Sequence, residues 1–141
     1  MSAVMGARLT LLILAATTAL SGPAAAASKA GETLEGARLA LRTRDFPAAL
    51  TQLQQGANAG NPEAQLLLGL VNLNGVGTPI DRVAAANWLS RSAAQNNATA
   101  VYVLAALAAG RADAAPGEAQ ALLHKAAALG YPAAIEDERA G

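Results

Sequence analysis

A chain of 141 residues has the length of one ordinary domain, and its ten basic and ten acidic side chains cancel to a formal charge of zero. That balance excludes an electrostatic nucleic-acid binder, which needs a basic face, and a polybasic membrane anchor. With no cysteine present, disulfides, thiol catalysis, cysteine-based zinc sites and a lipidated N-terminal cysteine are excluded too. Aromatics make up only 3%, and alanine inflates the 53% apolar fraction. Alanine forms helix well but leaves little side chain to bury, so the core must come from close helix approach.

Residues 1–27 read as a secretory signal peptide. Arg8 supplies a weakly basic start, residues 9–20 (LTLLILAATTAL) an apolar run, and Ser21-Gly22-Pro23 a break. The run is shorter than the roughly 20 apolar residues that span a bilayer. Small residues then place cleavage after Ala25, Ala26 or Ala27, with an uncleaved anchor as the alternative. This reading implies a periplasmic or secreted protein, with no membrane insertion of the mature domain, residues 28–141. Loss of Arg8 leaves that mature chain at a net charge of −1.

Ser28-Lys29-Ala30-Gly31 is expected to fray. The next stretch, residues 32–43, places Leu34, Ala37 and Leu41 on one helix face. Arg38, Arg42 and Arg44 form a basic patch that reads as a solvated face with cations near a helix C-terminus. Asp45 is placed to N-cap a second helix with Pro47 in its first turn. Ala49, Leu50 and Leu53 carry the apolar face to a stop-and-restart signal at Gly60-Asn61-Pro62.

The best-defined stretch follows. AQLLLGLVNL, from Ala64, predicts a helix, NGVGTP a turn, and residues 81–95 a second helix. Gly69 lies inside the first helix at a cost of about 1 kcal/mol relative to alanine, which points to close approach by a neighbouring helix. Gly75 and Gly77 suit a turn with positive φ. A phosphate-binding loop is not supported there, because strand, full glycine spacing and lysine are all missing. Asp81 is placed as an N-cap. Trp88 joins Ala84, Ala85 and Leu89 on an apolar face and is expected to pack in the core.

The pattern then restarts. Ala64 recurs as Ala100, Asp45 as Asp81 and Ala57 as Ala93, each 36 residues on, a period typical of stacked helical repeats. A third unit begins at Ala98, with Tyr102, Leu104 and Leu107 in its first helix, a turn over residues 110–117 and a second helix over residues 118–129. Lys125-Ala126-Ala127 matches Arg91-Ser92-Ala93 after 34 residues, so the turn is shortened. Gly130-Tyr131-Pro132 repeats the stop signal, and residues 132–141 hold a short polar capping helix.

Ala64, Leu68, Gly69, Gly75, Gly77, Asp81, Ala85, Trp88, Arg91 and Ala93, with the 36-residue spacing, resemble the Sel1-like repeat, a relative of the tetratricopeptide family. The resemblance implies an all-α fold: a short α-solenoid of about three antiparallel helix pairs, with units near residues 30–61, 62–97 and 98–131. It also implies a protein- or peptide-binding adaptor or regulator, of the exported kind found at the bacterial cell envelope. Asn72 stands where the family has an aromatic, Asn96 replaces the closing glycine, and Ala105 replaces the glycine of the next copy. These departures predict irregular curvature and looser packing in the third unit.

Chemistry is sparse in the sequence. The single histidine, His124, has no carboxylate three or four residues away and reads as structural. No catalytic residue, metal ligand or cofactor site is assigned. Ala64, Leu68, Gly69, Gly75, Gly77, Asp81, Trp88 and Ala93 are read as structural repeat positions. Gln65, Asn72 and Tyr102 are the candidate contacts for a protein or peptide partner, although Asn72 has the alternative of bonding inside the stack. An envelope enzyme or enzyme inhibitor with the same body, and a self-associating structural component, are the competing readings.

Overall fold

The computed structural model describes residues 23–141, and among them seven helices and no strand occur. These are α1 (Pro23–Arg42), α2 (Phe46–Asn58), α3 (Pro62–Asn74), α4 (Arg82–Ala94), α5 (Ala98–Ala109), α6 (Glu118–Ala128) and α7 (Pro132–Ala140). The chain divides into two compact units, residues 1–32 and 33–141. Of the first, the described part is the leading stretch of α1; the packing set out below belongs to the second. The expected signal peptide lies outside the described residues up to position 22, and its cleavage bracket, residues 25–27, falls near the start of α1. α1 begins at Pro23 rather than at residue 32, and residues 28–31 are helical rather than frayed. Proline is preorganised for the first helical position, and the alanines after it are the best helix formers, so one glycine at position 31 does not stop the helix.

One device ends a helix and starts the next. Arg44, Gly60, Asn96 and Gly130 all take left-handed φ, at 60°, 89°, 62° and 86°, and each is followed by the residue that opens the next helix. Asp45, Asn61, Asp81 and Asn97 then cap α2, α3, α4 and α5 by accepting from Ala48, Ala64, Ala84 and Ala100 backbone N–H groups. Each cap satisfies a donor that the helix itself leaves unpaired. Asn96 fills the family's closing-glycine position because asparagine tolerates the left-handed region better than other side chains. Gly75 (φ 68°) ends α3, and Gly77 (φ 67°) turns the chain against Phe46 of α2, whose Cβ leaves no room for a side chain there.

Consecutive helices from α2 to α7 pack on one another, around two apolar clusters. The first joins Ala37 of α1, Leu53 and Ala57 of α2, and Ala64, Leu68 and Val71 of α3. The second joins Leu66, Leu89, Ala93, Ala100, Val101, Ala126 and Ala134. α3 therefore feeds both. The largest fully buried side chains are only Leu53, Leu89, Val101 and Ser92, so burial depends on short distances between backbones. Gly69 permits one such approach between α3 and α4: a Cβ placed there would lie 2.8 Å from Leu89 Cγ and 3.3 Å from the Ala85 carbonyl oxygen.

Trp88 is not a core residue. It is half-buried at the edge of the first cluster, with the Arg91 guanidinium 4.8 Å above its ring. The helix turns about 100° per residue, so when Leu89 enters the narrow α3–α4 contact its neighbour is swung to the margin.

Gly69→Ala is expected to destabilise the fold by roughly 1–3 kcal/mol in urea unfolding, against alanine's better helix propensity, because buried Leu89 must move. Asn96→Gly should have the opposite sign, gaining about 0.5–1 kcal/mol. Trp88→Ala should cost about 1–3 kcal/mol, below the 3–5 of a fully buried ring; an unchanged melting curve would refute its packing role.

Candidate partner-binding surface

The structure does not bring Gln65, Asn72 and Tyr102 together. Gln65 is only 4% exposed. Its Nε2 donates to the Ala57 carbonyl at 3.2 Å, and its Oε1 accepts from Gln95 Nε2 at 3.0 Å. Gln95 Nε2 also donates to the Gly60 carbonyl at 2.9 Å. Gln65 is therefore corrected from a contact residue to a buried clasp between α3, the end of α4 and the α2–α3 turn, where a buried amide must find partners. Asn72 is half-buried. Its Nδ2 donates to the Leu68 carbonyl one turn earlier in the same helix at 3.0 Å, and its backbone carbonyl accepts from Asp81 N–H at 2.9 Å. Its side chain is therefore held against its own helix rather than extended toward a partner.

Tyr102 differs. Half-buried on α5, it packs its ring against Tyr131, with centroids 4.7 Å apart, and its hydroxyl donates to Asp137 Oδ2 of α7 at 3.0 Å. The Asp137 carboxylate accepts this hydrogen bond and repels a phenolate, and both effects raise the Tyr102 pKa above the ordinary phenol value.

Beside Tyr102 the third unit opens. Ala105 follows Gly69 by 36 residues, and Leu123 follows Leu89 by 34. In the central unit Leu89 seats against the bare Gly69 backbone; in the third, Ala105 carries a Cβ at the equivalent position. A cleft of about 220 Å³ lies there, lined by Tyr102, Ala105, Ala106, Ala109, Ala119, Gln120, Leu123 and Asp137. On the other side of α5 a second cleft, of about 170 Å³, is lined by Arg82, Ala86, Ala106, Leu107, Gly110 and Arg111. Ala106, exposed and small, borders both. Arg111 also meets Asp113 at 3.2 Å and Glu118 at 3.6 Å.

His124 is exposed on α6 and pairs through Nδ1 with Glu138 of α7. The partner is invisible in helical spacing because it sits on the following helix. Among the described residues, no group of three or more His, Cys, Asp or Glu side chains is arranged to hold a metal ion. Of the cleft residues, Arg82, Ala106, Arg111 and Asp137 were missed by sequence reasoning. The one available signal was the replacement of glycine by Ala105.

In a Tyr131→Phe background, the ultraviolet phenolate band should show Tyr102 titrating above the ordinary phenol range, and Asp137→Asn should bring it back down. Because the folded pKa is the higher one, the stability from this bond is fully present below the ordinary phenol pKa. It is lost as pH rises through the raised value. A midpoint unmoved by Asp137→Asn would show that the hydrogen bond is absent in solution.

The model of the Sel1 repeat family matches residues 62–97 and 102–131. A Sel1 repeat protein from Oxalobacter formigenes, known from its crystal structure, is 26% identical, with a TM-score of 0.72 over 82% of this chain and 92% of that one. No curated protein matches the chain. With helix pairs stacked through α3–α6 and the repeat pattern matched over two units, this chain carries two Sel1 repeats in an all-α, solenoid-like fold.

Proposed function

We propose that this protein is a non-catalytic binding module of the bacterial cell envelope, an adaptor or regulator that holds a segment of a partner protein across α5. Sel1 repeats are generally protein-interaction modules. The observation that carries the reading here is the pair of clefts flanking α5, which meet at the exposed side chain of Ala106. A partner segment crossing at that low point reaches Tyr102 and Leu123 on one side and Leu107 on the other. Such a cleft, mostly apolar with a few polar groups at its margin, is the usual form of a recognition site.

Export rests on the signal-peptide reading of residues 1–27. Cleavage at residues 25–27 trims the start of α1 and leaves Leu34, Ala37 and Leu41, which pack in the first cluster, in place. No helix among the described residues is long and apolar enough to cross a membrane.

Two measurements test the proposal. Expressed in a bacterial host, the tagged chain should be recovered from the periplasm at the mass left by cleavage after residue 25, 26 or 27; the full-length mass in the membrane fraction would refute the export reading. A photo-crosslinking residue at position 106 should trap a partner protein in envelope extracts, while the same residue at exposed position 51, on α2, should not. Equal trapping at both positions, or none at 106, would refute the binding surface.

A further inference from the structure

The two clefts differ in charge. Arg82 and Arg111 stand on the α4 side of α5, while Asp137 stands on the α7 side. Arg82 forms no ion pair among the described residues. Arg111 is half-exposed, and it pairs with Asp113, 86% exposed, and with Glu118, 34% exposed; surface pairs of this kind are weak, so they exchange readily for a better-placed acid. Asp137 spends one oxygen on Tyr102, and the other keeps its lone pairs, since a carboxylate accepts about four hydrogen bonds.

We infer that the occupant of the α5 surface is an extended, dipolar peptide segment of a partner protein, with an acidic residue against Arg82 and Arg111 and a basic residue against Asp137. The spacing follows from helix geometry. Tyr102 and Gly110 are about 12 Å apart along α5 at 1.5 Å per residue. Crossing sideways by one interhelical distance of about 8–10 Å lengthens the path to about 15 Å. An extended chain covers that in four or five residues at about 3.3 Å each. The residues between acid and base cross Ala106, so they must be small. This inference rests on the α5 reading above and adds the chemistry of the partner to it.

The test selects displayed random 12-residue peptides on the purified full chain and measures the enriched peptides by fluorescence anisotropy. Enrichment of an acid and a base four or five positions apart, with small residues between, is the expected result. Arg82→Ala and Asp137→Asn should each weaken those peptides about three- to tenfold, in the range of partly exposed charge pairs, and added salt should weaken them further. Ala106→Trp, at an exposed position, should abolish binding while leaving the melting temperature unchanged. Asp137→Lys should come to prefer peptides whose basic residue is replaced by glutamate. Enriched peptides without the charge pattern that are still blocked by Ala106→Trp would overturn this inference and leave the α5 surface standing. Peptides indifferent to Ala106→Trp, or no enrichment at all, would overturn both.

Discussion

The approach of α4 to α3 at Gly69 sets the spacing on which the rest of this molecule is built. A chain whose core is mostly alanine has little apolar area per side chain, so it gains burial by bringing helix backbones together. Gly69 allows that by leaving a gap that Leu89 fills, with the Ala85 carbonyl close behind. The glycine weakens its own helix by about 1 kcal/mol, and the loss is offset because Leu89 becomes wholly buried. α3 then sits between the two apolar clusters and couples them. Trp88, the bulkiest side chain available, is left to cover an edge with Arg91 stacked on it.

Polar bonds at regular intervals complete what the small side chains begin. Ser92 Oγ donates to the Pro62 carbonyl at 2.6 Å, and Lys125 Nζ reaches the Ala93 carbonyl at 3.4 Å, so second helices reach back to the chain about 30 residues earlier. Glu63 accepts from Arg38 on one oxygen and from Asn97 on the other, linking α1, α3 and the start of α5. The Gln65–Gln95 clasp does the same at the α2–α3 turn. Each of these groups would otherwise be partly dehydrated without a partner, so the bonds also specify which helix lies beside which.

The third unit departs from this arrangement, and the proposed partner surface lies at the departure. Ala105 carries a methyl group, the turn is shortened by two residues, and a cleft borders Ala105 between α5 and α6. α7 closes the stack through Tyr102–Asp137, Tyr131 and His124–Glu138. The most regular part of the chain holds the helix contacts described above, and the surface proposed for a partner lies where the repeat pattern weakens.

Composition, period and caps determined most of the architecture, because those signals are local. An Asp or Asn N-cap marks a helix start locally, so α2 to α5 are legible from Asp45, Asn61, Asp81 and Asn97 or their neighbours. Gly69 as a close-approach site is equally legible, since a glycine inside a helix asks for an explanation. The direction of a side chain is not local. Gln65 is polar and reads as a surface group, yet the end of α2 and the end of α4 take up its hydrogen bonds; the Asn72 amide instead bonds back to its own helix. Trp88 and Leu89 both belong to an apolar face, and only the angle at which α4 meets α3 chose which one entered the core. The assembly of Arg82, Ala106, Arg111 and Asp137 into one surface, over more than 50 residues of chain, was decided by tertiary packing alone. Sequence spacing carries no information about which faces of four separate segments meet.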